Sequence, residues 1–194
     1  MSYTQEQIVL GAREAARGLL DQLGRGGLVA RFVDGYVAAN ERRGLKDSPL
    51  RYKELLATIT REALLAAVAQ LFALLPARVT GRKKALLRGP EAEAVELFRM
   101  AFLNALGECT KWTPPERDDF ADDLELYARM AARLSAGGRR AKFPTEGPFV
   151  DRCGLLLDPS LLDKARAAAG KFQLELEGIA EEMLDVAFGK KRRR

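Results

Sequence analysis

The chain has 194 residues, of which 47% are hydrophobic and 30% are charged, a balance that is typical of a folded domain and excludes general disorder. It contains no histidine, which excludes a Ser-His-Asp triad, a Cys-His pair and an imidazole-ligated zinc site built from this chain alone. The formal net charge is +5, and the helix formers Leu, Ala, Glu and Arg dominate the composition. We therefore expect an all-α protein.

The two cysteines indicate a reducing compartment. Cys109 and Cys153 lie far apart in the sequence and form neither a Cys-x-x-Cys metal motif nor a disulfide framework. The first residues contain no apolar stretch long enough for a signal peptide. The longest apolar run, residues 63–75, is interrupted by Gln70 and is too short to span a bilayer. These features predict a cytoplasmic protein without a membrane-spanning helix.

The first two helices are marked by their start and stop signals. Thr4 and Gln7 have the spacing of a capping box, and the glycine-rich residues 24–27 should end the helix that follows. A second helix is expected over residues 28–43, because its apolar side chains lie on one side and Gly44 follows as a stop.

The third helix is expected to be the centre of the domain. Ser48 followed by Pro49 has the pattern of an N-cap with proline in the first helical position, and the helix should persist until Pro76. Its second half is apolar nearly all round, as in a helix surrounded by others. A fourth helix should open at Pro90 and supply core residues before Gly107.

Two further helices follow in the second half of the chain. Thr113 and Glu116 have capping-box spacing and predict a fifth helix, which the glycines at 137 and 138 should close. Residues 139–148 contain proline and glycine breakers and are expected to form a loop. Residues 149–157 fit one short helix.

The last helix is expected over residues 159–188, because Asp158 and Pro159 repeat the pattern of a cap followed by proline. Apolar residues recur along it at steps of three and four, which would suit either a coiled-coil partner or packing along the chain's own domain. We favour internal packing, since its alanines and phenylalanine depart from a Leu/Ile zipper.

Positive charge is concentrated in three clusters. They account for 13 of the 32 basic residues, so the remaining 19 stand against 27 acidic residues and the rest of the chain is acidic. The clusters are the first basic segment, with Arg78, Arg82, Lys83, Lys84 and Arg88; the second basic segment, with Arg139, Arg140 and Lys142; and the basic tail, with Lys190, Lys191, Arg192, Arg193 and Arg194.

Clustered lysine and arginine side chains in segments between helices are suited to phosphate binding. Arginine can bind two phosphate oxygens at once, and each neutralised phosphate releases counterions. The alternative is that such segments are simply solvated. Trp112 would offer a base-stacking surface, but a tryptophan at the start of a helix more often packs on its own domain, and we expect that here.

An aspartate-rich pattern provides a different hypothesis. Asp118, Asp119, Asp122 and Asp123 spell DDxxDD, which resembles the DDxxD magnesium-diphosphate motif of all-helical isoprenyl diphosphate synthases, and residues 181–185 give a degenerate second copy. The resemblance implies two facing motifs that hold magnesium through oxygen ligands across a cavity. The competing interpretation, which we favour, is that these carboxylates complement the positive end of a helix and extend a solvated surface.

The sequence therefore predicts one helical domain of about six to seven helices over residues 1–189, in a bundle-like or orthogonal arrangement, followed by a basic tail at 190–194. We expect a non-enzymatic nucleic-acid-binding subunit, of the kind found in larger ribonucleoprotein or defence complexes, without a cofactor or metal. The alternatives are a protein–protein adaptor or homo-oligomer that uses the 159–188 helix, and a magnesium-dependent diphosphate enzyme. A shared face for the basic clusters would favour nucleic acid.

Overall fold

The computed structural model describes residues 3–24, 27–44, 49–81, 87, 89–136, 147–154 and 162–189. Within these ranges the chain is all-α and has no strand. Seven helices follow one another: α1 Gln5–Gly24, α2 Leu28–Glu41, α3 Pro49–Thr80, α4 Pro90–Thr110, α5 Pro114–Ala136, α6 Pro148–Gly154 and α7 Leu162–Phe188.

Helix α3 is the central helix, as predicted. Residues 62–69 are buried without interruption, and α1, α2, α4, α5, α6 and α7 all pack against α3. In the described ranges it is also the one helix that is long and apolar enough to cross a membrane, with a mean hydropathy of 1.7 in its most apolar window, half of which is buried in the fold. Burial among six other helices accounts for that composition.

The expected end of α3 at Pro76 was wrong. The helix continues through Pro76 to Thr80, whose hydroxyl donates to the Pro76 carbonyl oxygen at 2.8 Å. A proline inside a helix removes one backbone hydrogen bond, but here the residues around Pro76 are held by contacts with the rest of the fold. Leu75 is fully buried, and Arg78 is bonded to α7. Arg78 consequently lies in a helix and not in the connecting segment in which we expected it.

Helix α7 packs along α1 and α3, as the internal-packing interpretation predicted. A Cβ atom at Gly11 of α1 would lie 2.5 Å from the carbonyl oxygen of Ala187, so glycine allows the two backbones to approach closely. At the other end of α7, the Phe172 ring contacts Phe149 of α6 and Phe32 of α2. The proposed start of this helix at Asp158 and Pro159 lies outside the described residues.

The predicted capping box of α1 is complete, whereas that of α5 forms only the half in which the Glu116 side chain accepts from the backbone of Thr113. Thr4 and Gln7 exchange the two reciprocal bonds, at 3.0 and 3.2 Å. At α5 the Glu116 carboxylate accepts from both the backbone N–H and the hydroxyl of Thr113, at 2.7 and 2.8 Å. These bonds, the backbone one first, hold the pKa of Glu116 below its ordinary value.

We expect Thr113→Ala to lower the free energy of unfolding by about 1 kcal/mol, because the Glu116 carboxylate at the start of α5 loses the hydrogen bond from the Thr113 hydroxyl. The matched control is Thr58→Ala, since the Thr58 hydroxyl only donates back to the Glu54 carbonyl within α3 and alanine is the better helix former. Urea unfolding at pH 7 measures both variants. Equal midpoints would show that the Thr113–Glu116 hydrogen bond does not stabilise the start of α5.

Candidate functional site

The described residues include one of the thirteen predicted phosphate-binding residues, Arg78. The other twelve lie outside the described ranges: Arg82, Lys83, Lys84, Arg88, Arg139, Arg140, Lys142, Lys190, Lys191, Arg192, Arg193 and Arg194. Their predicted role remains a prediction. The helices that precede and follow them are described, however, and these show where each basic cluster joins the fold.

Arg78 joins the end of α3 to the end of α7. Its Nη2 atom donates to the carboxylate of Asp185, to the carbonyl oxygen of Gly189 and, at 3.4 Å, to that of Leu184. The side chain of Arg78 is only 11% exposed, and that of Asp185 is 38% exposed. The Arg78 guanidinium, which we had expected to bind phosphate, therefore holds two helix ends together.

Aromatic packing adds the start of α1 to the same place. The Tyr3 hydroxyl donates to the Phe188 carbonyl oxygen at 3.3 Å, and the two rings pack edge to face at 5.0 Å. Phe188 also stacks on Phe98 of α4, with ring centroids 5.3 Å apart. We call this region, formed by Tyr3, Arg78, Asp185, Phe188 and Gly189, the helix-end pole.

Two of the three basic clusters continue from the helix-end pole. Gly81 is the last described residue before Arg82, and Gly189 is the last before Lys190. Because one arginine side chain bridges α3 and Gly189, the two chain exits lie within the reach of that side chain. Here the structure joins the ends of two helices, α3 and α7, that are more than one hundred residues apart in the sequence.

The second basic segment returns to the fold at a different place. Its next described residue, Gly147, lies against the side-chain amide of Gln173, in the first half of α7. Fifteen residues of helix separate Gln173 from Phe188, which corresponds to about 22 Å along the axis. The point where this segment rejoins the fold is therefore remote from the helix-end pole, and a ligand that contacted both regions would have to extend along α7.

The two acidic motifs do not face each other. Asp118, Asp119 and Asp122 are exposed, whereas Asp123 forms an ion pair with Arg61 at 2.9 Å. Asp185, the last residue of the second motif, pairs with Arg78. Both arginines belong to α3, and their separation of 17 residues corresponds to about 25 Å along the helix. Within the described ranges, no three metal-binding side chains converge.

A buried polar cluster that the sequence analysis missed connects α3, α5 and α6. Glu62 of α3 is 5% exposed and accepts hydrogen bonds from the Tyr127 hydroxyl of α5 and from Nε and Nη2 of Arg152 of α6, the latter two at 3.4 Å. Burial raises the pKa of the Glu62 carboxyl, and Arg152 acts in the opposite direction. Burial, reinforced by the Glu62 charge, also raises the pKa of the neighbouring Cys153 thiol.

The cluster acts as a structural connection between three helices. Tyr127 and Cys153 are fully buried, so neither their hydroxyl nor their thiol is accessible to a substrate. A charged residue at position 62, directly before the apolar run of α3, was the signal in the sequence that could have revealed the cluster. A buried carboxylate requires a partner, and Arg152 supplies one for Glu62.

Exposed apolar side chains occur on α1 and α4. Leu10 is 58% exposed and Met100 is 60% exposed. A shallow depression of about 410 Å³ lies between these helices and is lined by Gln5, Glu6, Val9, Leu10, Arg13 and Leu97. On α7, by contrast, the large apolar side chains described as exposed are Leu174 and Val186, and twelve positions separate them, so they form no continuous stripe.

Comparisons with known proteins provide no relative from which a role could be transferred. No protein-family model, no curated protein and no solved structure matches this chain.

Proposed function

We propose that this chain is a non-enzymatic nucleic-acid-binding protein that contacts phosphates with the basic residues following α3 and α7. The observation that carries the proposal is the helix-end pole, at which Arg78 holds Gly189 against the end of α3. The four residues Arg82, Lys83, Lys84 and Arg88 continue from one side of this contact, and the five residues of the basic tail continue from the other.

The charge distribution supports this proposal. The chain outside the three basic clusters has 19 basic and 27 acidic residues, so most of its surface repels a polyanion. Two adjacent exits for basic segments create a local positive field on an acidic body. Such a field suits the phosphate backbone of DNA or RNA, which carries one charge for every phosphate and binds without regard to base sequence.

We expect the triple variant Arg82→Glu, Lys83→Glu, Lys84→Glu to bind nucleic acid at least about tenfold more weakly than the parent at low salt, because three phosphate contacts become repulsive. The loss should be the same for unrelated sequences, since phosphate contacts carry no base information. Fluorescence anisotropy with labelled DNA and RNA duplexes measures the affinities.

A matched control reverses three positive charges in the first half of α7, at the end of the helix that is remote from the helix-end pole. Lys164, Arg166 and Lys171 are exposed and precede Phe172, which packs against α6 far from the helix-end pole. Reversing all three to glutamate changes the net charge equally. Equal weakening by the two triple variants would show that only net charge matters and would contradict a site at the pole.

The adaptor alternative would be supported by a different result. If the parent chain shows no measurable binding to DNA or RNA at about 50 mM salt, where phosphate contacts are strong, the nucleic-acid proposal fails. A protein partner would then be sought for the exposed apolar side chains of α1 and α4, because α7 buries its apolar side within the fold.

A further inference from the structure

Helices α1 and α4 share an apolar surface that the described part of the fold leaves exposed. Leu10 of α1 and Met100 of α4 are each more than half exposed. Val9, Leu10 and Leu97 line the depression between the two helices, and Met100 lies one turn after Leu97 on the same side of α4. Apolar side chains that gather across two helices mark an interaction site, whereas single ones need no explanation. We call these four residues the α1–α4 surface.

Two opposite charges flank Leu10 on the same side of α1. Glu6 precedes Leu10 by four residues and Arg13 follows it by three, so each lies about one helical turn away, and both line the depression. They are seven residues apart, beyond the three or four at which helical side chains pair, and neither forms an ion pair with another described residue. Glu14, the next residue, lies about 100° further round the helix.

We propose that the α1–α4 surface is the interface of a symmetric dimer, and that it binds the same surface of a second copy of this chain. When two α1 helices cross antiparallel about a two-fold axis at Leu10, residues before Leu10 in one copy face those after it in the other. Glu6 then faces Arg13 of the second copy, and the symmetry forms this pair twice. A partner of unrelated sequence would not require a surface that is complementary to itself in charge.

The size and composition of the surface suit such a dimer. Helix α1 has 20 residues and α4 has 21, so each is about 30 Å long. Two adjacent helices present a face about 20 Å wide, or about 600 Å² in outline, close to the roughly 800 Å² of accessible surface that a standard interface buries on each partner. The apolar side chains would form its centre and the two ion pairs its rim, which is the usual arrangement. This inference concerns self-association and does not depend on nucleic-acid binding.

The first test measures the mass of the protein in solution by analytical ultracentrifugation. We expect the chain, freed of nucleic acid by nuclease treatment, to be a dimer at about 100 μM, where a micromolar association is nearly complete. Leu10→Glu should weaken the dimer at least about a hundredfold, because the two-fold axis removes two apolar contacts and brings two carboxylates together. The matched control is Leu174→Glu, the same substitution at an exposed leucine of α7, which should leave the dimer unchanged.

The flanking charges provide a test that only a second copy of this chain can pass. Glu6→Arg leaves both flanking positions positive, and Arg13→Glu leaves both negative, so each variant alone should dimerise about tenfold more weakly than the parent. An equimolar mixture of the two variants should regain the parent affinity, because every pair across the axis then joins opposite charges. A loss of affinity caused by a folding defect in either variant would not be restored by mixing.

A monomeric parent at about 100 μM would overturn the inference and leave the surface to a different protein. A dimer that persists in Leu10→Glu, or that Leu174→Glu weakens equally, would also contradict it, as would a mixture that associates no better than the single variants. Urea unfolding of Leu10→Glu should give a midpoint near that of the parent, since the leucine is mostly exposed. A dimer that binds neither DNA nor RNA would contradict the proposed function and leave this inference standing.

Discussion

Raising the salt concentration from about 50 to about 200 mM is expected to weaken nucleic-acid binding by about a thousandfold. Nine basic residues follow α3 and α7 after Arg78 is set aside, four in the first basic segment and five in the basic tail. If about two thirds of them contact phosphates, about six contacts form on a duplex, and the logarithm of the affinity falls with the logarithm of the salt concentration at a slope near −5.

The salt series also tests which residues contribute to binding. A variant with the five tail residues changed to glutamine should show a shallower slope, because fewer counterions are released when it binds. Anisotropy titrations at several salt concentrations give both slopes. A parent affinity that is independent of salt would mean that phosphates are not the ligand, whatever the affinity is at low salt.

The second large effect concerns the stability of the fold. We expect Arg152→Met to lower the free energy of unfolding by about 2 kcal/mol at pH 7, because the buried Glu62 carboxylate loses its cation. This value is below that of a fully buried pair, since the Arg152 side chain is 32% exposed and solvent screens part of the interaction. Urea unfolding measures the difference.

The sign of the pH dependence follows from the pKa of Glu62, which burial raises above its ordinary value of 4.5. A group with a raised pKa favours the folded state below its ordinary pKa, and this stabilisation is lost as the pH rises through the folded value. Without Arg152 the pKa should rise further. The destabilisation by Arg152→Met should therefore be small near pH 4 and should grow toward pH 7.

Arg17→Met serves as the control for this substitution. Arg17 is an exposed arginine of α1, so its removal should change the stability by less than about 0.5 kcal/mol at either pH. A pH-independent loss in Arg152→Met would indicate that the hydrocarbon part of the side chain, and not its charge, stabilises α6. That result would contradict the assignment of Arg152 as the counterion of Glu62.

Features that depend on neighbouring residues were predictable from the sequence. The Thr4–Gln7 and Thr113–Glu116 starts form because both partners lie within one helical turn. The central position of α3 was predictable because residues 63–75 are apolar on nearly all sides, which a helix exposed to solvent would not be. Trp112 packs on Phe120 at a centroid distance of 4.7 Å, as expected for a tryptophan at a helix start.

Features that depend on distant partners were not predictable. The end of α3 was placed too early because Pro76 is a strong local signal, whereas the contact that holds the last turn comes from Asp185, 107 positions away. The same contact gives Arg78 a structural role that an arginine in a basic cluster does not reveal. The resemblance of the acidic motifs to a magnesium site likewise could not show that Asp123 and Asp185 pair with arginines of α3.

Affinity purification of the chain from its native cells, with and without nuclease treatment, tests nucleic-acid binding most directly. We expect nucleic acid to co-purify with the parent, to be lost after nuclease treatment, and to be strongly reduced with the Arg82→Glu, Lys83→Glu, Lys84→Glu variant. Co-purification of the same proteins before and after nuclease treatment, with no nucleic acid in either sample, would contradict the proposed function.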